Sequence, residues 1–196
     1  MQYSQSPGDA LRRLPGRLFL DSSTLQVLQR YGEFIYDGGS ISTADKIFSV
    51  PNGAFNLEAL RQIMFVGQRA MFQLVLSENS LEEVVASGCP VYLSWALELL
   101  EYWRCMLNAY ADAAGGPFSG RGQCLARKIR ERQFGHLSCK DRDLLSDALT
   151  LECDVFITMD RKLAKMASSI ERETGLSVLE PTQYWELLRP WAALFV

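Results

Sequence analysis

The sequence has a single histidine, His136, among its 196 residues. A Ser-His-Asp or Cys-His nucleophile would have to use that residue, and no GxSxG motif accompanies it. His136 reads as a surface or loop histidine. The five cysteines (Cys89, Cys105, Cys124, Cys139 and Cys153) form no CxxC pair. Zinc sites and disulfide frameworks favour tighter spacing, so buried, reduced thiols are expected. A Walker loop and a GxGxxG turn are also missing. No apolar run approaches the roughly 20 residues that a membrane span needs. The opening stretch, MQYSQSPGDALRRLPGRLFLD, has neither the positive start nor the apolar centre of a signal peptide. A cytoplasmic protein with no membrane partner is expected. Charge of one sign is missing too: 20 Lys+Arg against 23 Asp+Glu leave a net charge of -3. That excludes a globally basic nucleic-acid binder, but not a local basic groove.

What is present is a core. Hydrophobic residues make up 48% of the chain and aromatics 11%, enough to exclude wholesale disorder. Residues 1–16, with Pro7, Pro15 and Gly16, read as a flexible N-terminal segment, and 17–196 as a single domain. Short apolar runs at 17–22, 72–76, 155–158 and 176–179 read as strands. Between them, the spacing predicts helices from Ser22 or Ser23 to about Arg30, and over 56–69, 80–87, 91–111, 123–133, 141–152 and 160–174. In the second of these, Leu57, Leu60, Ile63, Met64 and Gly67 fall on one stripe. The stretches 36–40 and 50–53 carry turn residues, and 114–122 reads as a loop. A last helix starts at Pro181, the expected place for proline. Short strands that are apolar throughout and alternate with helices mean a parallel sheet covered on both faces. The expected class is therefore α/β, a three-layer α/β/α sandwich with a short, mainly parallel sheet.

The carboxylates are informative by position. Asp21 ends the first strand, Glu82 and Glu83 lie early in the helix after the second, Asp141 opens a helix, and Asp160 follows the third strand. In an open α/β sheet, ligands gather outside the carboxyl ends of the strands. Four acids packed there repel one another and call for a cation. Oxygen donors without His or Cys select Mg²⁺ or Mn²⁺, and such a site suits phosphodiester hydrolysis. Taken singly, each acid also reads as an ordinary helix cap.

These segments resemble a PIN-domain nuclease. RLFLDSSTLQVL (17–28) is similar to that family's first strand, first Asp and following helix, and LVLSENSLEEV (74–84) to its second strand and Glu-bearing helix. In KDRDLLSDALTLECDVFITMDRKL (140–163), Asp141, Ala148, the strand VFI and Thr158-Met159-Asp160 match the family's Asp, Ala, strand and Thr-x-Asp. The resemblance implies a Mg²⁺- or Mn²⁺-dependent endoribonuclease with Asp21, Glu83, Asp141 and Asp160 as catalytic, metal-binding acids. Glu83 is preferred to Glu82 because the family's Glu precedes an apolar residue. By the same match, Thr158 supports the site through its hydroxyl. The expected products are a 5′-phosphate and a free 3′-hydroxyl. Extra material at 32–62 and between Glu83 and Asp141 departs from the shorter toxin nucleases of the family. An antitoxin-like protein partner is one expectation if the chain acts as a toxin.

Single-stranded RNA is the expected substrate. Arg121, Arg127, Lys128, Arg130, Arg132 and Lys140 form a basic run ahead of Asp141. It reads either as a phosphate-tracking surface or as a solvated helix face. The rival function is a PIN-like module that binds RNA or protein without cutting. A haloacid dehalogenase-type phosphatase ranks lower, because position 23 is Ser where a second Asp is needed. The aromatic helix 91–111 and the tail WAALFV (191–196) would offer a homodimer surface unless packed internally.

Overall fold

Four short strands carry the fold. β1 (Arg17–Leu20), β2 (Gln73–Val75), β3 (Val155–Ile157) and β4 (Ser177–Leu179) form one parallel sheet in the order β2-β1-β3-β4. The computed structural model describes residues 14–70, 72–114, 120–130 and 134–195, without the side chains of 107–114, 121 and 195. Most of the segment 1–16 lies outside these residues.

Register follows from the apolar runs. Phe19 of the central strand sits opposite Val75 on one side and Phe156 on the other. The Phe19 and Phe156 rings stack at 5.2 Å. Both faces of β3 are buried, as a sheet covered on both sides requires. One polar residue fixes the starting end: Asp154 Oδ2 accepts from the backbone N–H groups of Gly16 and Arg17, each at 2.9 Å.

Between β1 and β2 run α1 (Ser22–Arg30), α2 (Gly32–Asp37) and α3 (Gly53–Ala70). Between β2 and β3 run α4 (Glu78–Ala86), α5 (Pro90–Ala114), α6 (Gly120–Arg130) and α7 (Cys139–Thr150). α8 (Arg161–Ala164) and α9 (Ala167–Thr174) connect β3 to β4, and α10 (Pro181–Ala192) follows. The step from β1 to β2 goes one way along the sheet, and the later steps go the other way. Right-handed crossovers therefore send the two sets of helices to opposite faces, an arrangement compatible with three layers. α3 packs against α10, and α6 against both α7 and α9.

The predicted stripe of α3 is buried at Leu57, Leu60, Ile63 and Met64. α5 buries Tyr92, Ala96, Leu100 and Trp103 against the core and leaves Val91, Leu97 and Tyr102 exposed. Its aromatic side is thus partly internal packing. No described helix is long and apolar enough to cross a membrane.

Four expectations need correction. The helix expected over 160–174 is two helices. Met166 N–H bonds Leu163 O at 2.9 Å and Ser169 N–H bonds Met166 O at 3.0 Å, a three-residue tightening that apolar spacing does not report. Residues 36–37 belong to α2 rather than to a turn, and Gly38 closes that helix at φ 71°, a left-handed cap glycine adopts readily. α6 starts at Gly120, inside the expected loop, of which 115–119 lie outside the described residues. The thiols are all free, but Cys89, Cys105, Cys124 and Cys139 are exposed and only Cys153 is buried.

Candidate active site

The strand order fixes where a site belongs. The connections that follow β1 and β3 leave in opposite directions, so a crevice opens outside the carboxyl ends of these two adjacent strands. Asp21 follows β1 and Thr158 follows β3.

Asp21 occupies the N-cap position of α1, with extended backbone at φ -63°, ψ 152°, yet its side chain caps no helix N–H. Its carboxylate engages hydroxyls at the crevice instead. Asp21 Oδ2 accepts from Ser23 Oγ at 2.6 Å and from Thr158 Oγ1 at 2.7 Å, and Oδ1 accepts from Ser22 Oγ at 3.3 Å. Thr158 is fully buried, and its Oγ1 also accepts from the backbone N–H of Asp160 at 2.9 Å. Ser23 Oγ accepts from the N–H of Met159 at 3.1 Å. Each hydroxyl donates its one proton to Asp21 and accepts from the β3 loop, a use that matches its bonding capacity. Burial raises the Asp21 pKa above the usual carboxylate value. The Ser23 and Thr158 bonds pull it back, and the charge of Glu83 raises it further.

Glu83 therefore faces Asp21 electrostatically. It is mostly buried and stands 3.9 Å from Lys140 Nζ, whereas Glu82 is exposed. Helices α4 and α7 run antiparallel here. Asn79 Nδ2 donates to Asp147 Oδ2 at 2.8 Å at one end, and Glu83 meets Lys140 at the other.

Asp141 and Asp160 do serve as caps. Asp141 Oδ2 accepts from Ser138 N–H at 3.2 Å in a reciprocal capping box that opens α7. Asp160 Oδ1 accepts from Lys162 N–H at 2.7 Å at the start of α8. The same two acids line one cleft of about 560 Å³, together with His136, Lys162 and Lys165. The acids fall into two pairs: Glu83 acts on Asp21 through its charge, and Asp141 and Asp160 line one cleft. Thr158 bridges the pairs by bonding both Asp21 and the Asp160 backbone. Among the described residues, no three His, Cys, Asp or Glu side chains are grouped so that they could hold one ion.

Two side chains here escape a sequence reading. His136 is a surface histidine, as expected, but it borders the Asp141–Asp160 cleft. Tyr92, in the first turn of α5, is buried, and its hydroxyl has no hydrogen-bond partner. Burial, with the charges of Glu83 and Asp21, pushes its pKa up to about 12. Every one of these acids offers oxygen, the donor type a hard divalent cation takes, but no three of them are grouped among the described residues. Tyr92 keeps a buried hydroxyl without a hydrogen-bond partner.

The basic run is placed in part. Arg127, Lys128 and Arg130 are exposed in the last turn of α6. Lys140 is exposed and neighbours Glu83. The Arg121 side chain and all of Arg132 lie outside the described residues. α6 lies antiparallel on α7. Gly122 passes so close to Leu149 O that a Cβ there would collide with it, and Ser146 Oγ donates to Ala126 O at 3.3 Å. This packing points the basic end of α6 toward the end of α7 that carries Asp141.

No family model, curated protein or solved structure matches the chain.

Proposed function

We propose that the protein is a PIN-like, Mg²⁺- or Mn²⁺-dependent ribonuclease that hydrolyses phosphodiester bonds in single-stranded RNA. The observation that carries this reading is Asp21: its carboxylate forgoes capping α1 and is clamped by Ser23 and Thr158 at the crevice between β1 and β3, facing Glu83. A structural cap would not be held this way. Asp21, Glu83, Asp141 and Asp160 would hold one or two cations between them, no three of these acids being grouped around a single point. When bound, Mg²⁺ or Mn²⁺ supplies a water of lowered pKa and neutralises charge at the reacting phosphate. Thr158 and Ser23 keep Asp21 in one orientation, so that little reorganisation is needed at the moment of reaction. Lys162, Lys165 and His136, on the walls of the Asp141–Asp160 cleft, and the basic end of α6 would track the RNA backbone. The test is cleavage of fluorescent single-stranded RNA with Mn²⁺, Mg²⁺ or EDTA. Metal-dependent cutting by the wild type, abolished by Asp21→Asn with the fold retained, supports the reading. Full activity of that variant overturns the site.

A second reading is a module that binds RNA or protein without cutting. One observation favours it: the acids stand as two pairs, outside the reach of one ion. RNA retention without cleavage, unchanged by EDTA, would select it.

A further inference from the structure

A second cleft, of about 380 Å³, opens where α4, α5 and α7 meet. Ligand pockets run roughly 300–1,000 Å³, so this one suits a small occupant. Its apolar wall includes Leu100 and Trp103 of α5, both buried. Its polar wall joins Asn79 of α4 to Asp147 of α7, and Arg104 lines the same cleft, ion-paired with Glu78. An apolar wall with a few convergent polar groups suits a ligand with apolar faces and a polar edge, as a nucleobase has.

The hydrogen bonds already made narrow the base. Asn79 Nδ2 donates to Asp147 Oδ2 at 2.8 Å. Among the described residues, no group bonds Asn79 Oδ1 or Asp147 Oδ1, so this wall is left chiefly with acceptors. Arg104 donates to Glu78 through one nitrogen, and a guanidinium has five N–H donors in all. Guanine matches both sides. Its N1–H and N2–H₂ are adjacent donors, and its O6 and N7 are adjacent acceptors that arginine reads. Adenine and cytosine set a donor beside an acceptor on the pairing edge, and uracil sets one donor between two acceptors. The cleft also adjoins the acids: Asn79 and Glu83 lie one turn apart on α4, about 6 Å along its axis.

We propose that this cleft is a guanine subsite, with Asp147 and Asn79 accepting from N1 and N2 and Arg104 donating to O6 and N7. The guanine arrives either as a base of the RNA strand or as a free nucleotide. The strand source rests on the nuclease reading above, and the guanine chemistry does not.

The test compares GMP, AMP, CMP and UMP by calorimetry against the metal-free protein in EDTA. The four share ribose and phosphate, so a difference in affinity reads the base. GMP is expected to bind at least about tenfold tighter than the others, the discrimination of one bidentate pair. Asp147→Asn replaces an acceptor with a donor and should abolish that preference while melting within about 3 °C of wild type. Arg104→Gln, at a half-exposed side chain, should keep the fold and lower GMP affinity about tenfold. Equal affinity for all four nucleotides, or a GMP preference unchanged in the folded variants, overturns the proposal. Cut sites mapped on single-stranded RNA with Mn²⁺ separate the two sources. Guanine enriched beside the cut, and no longer so in Asp147→Asn, assigns the subsite to the strand. A GMP preference without that enrichment overturns the strand source and assigns the subsite to a free nucleotide. A wild type that prefers GMP but neither binds Mn²⁺ nor cuts overturns the nuclease reading and leaves the guanine subsite standing.

Discussion

Thr158 Oγ1 donates to Asp21 Oδ2 at 2.7 Å, joining the ends of two adjacent parallel strands through side chains 137 residues apart. The bond is buried and charge-assisted, and the same hydroxyl accepts from Asp160 N–H. Replacing it with valine keeps the shape and removes both interactions. Thr158→Val should lower stability by about 2 kcal/mol, the usual size for a bond to a charged group. It should also lower cleavage with little change in KM. Urea unfolding and steady-state kinetics check the two parts.

Asp21 carries a sign that can be read against pH. Its pKa in the fold lies above its ordinary value of 3.8, chiefly through burial. Between the unfolded and folded values the native state binds more protons, so stability falls as pH rises through that window. At neutral pH, the ionised carboxylate is therefore a net burden on the metal-free protein. Asp21→Asn should be more stable than wild type at pH 7 in EDTA, and the advantage should vanish near pH 3.5. Urea midpoints at the two pH values decide it, and a variant less stable at pH 7 would contradict the burial argument.

The basic end of α6 predicts a salt effect. Each phosphate contact adds to the steepness with which RNA affinity falls in salt. Reversing two exposed charges, Arg127→Glu with Lys128→Glu, should weaken RNA binding and flatten that dependence by about two contacts' worth, roughly 1.4 in log–log slope for a single strand. Fluorescence anisotropy across a salt series measures it. An unchanged slope would leave those residues as a solvated helix face.

Thiol chemistry reports the fold independently. Four cysteines are exposed, and burial pushes the Cys153 thiol well up. A chromogenic disulfide reagent should titrate four thiols in the native protein and the fifth only after unfolding.

The strands and most helices were legible because their signals are local. The apolar runs at β1 and β3, the stripe of α3 and the proline at the start of α10 each specify their element. The positions of Asp21, Glu83, Asp141 and Asp160 relative to those strands were legible for the same reason. Their grouping was not. Asp160, an N-cap, spends one oxygen on a helix N–H, and Asp141, third in α7, spends one on the N–H of its cap residue Ser138, while Asp21, an N-cap like Asp160, does neither. Ser22 and Ser23 beside Asp21 supply part of its clamp, but serines are also common at helix starts, and the rest of the clamp, Thr158, arrives from another strand. Tyr92 was hidden by its neighbours. Among the aromatics of α5 it reads as core, and its unpartnered hydroxyl emerges only from the packing of the folded chain. The exposed cysteines run against the usual burial of cysteine: Cys105, Cys124 and Cys139 lie on α5, α6 and α7, and Cys89 just before α5.

The proposed chemistry requires a hard divalent cation on the rim outside β1 and β3. Titration of Mn²⁺ into the metal-free protein by calorimetry, beside Asp21→Asn, tests it most directly. Saturable binding by the wild type is expected, competed by Mg²⁺ and lost or weakened at least tenfold in the variant. No binding by the folded wild type, or equal binding by both proteins, would contradict it.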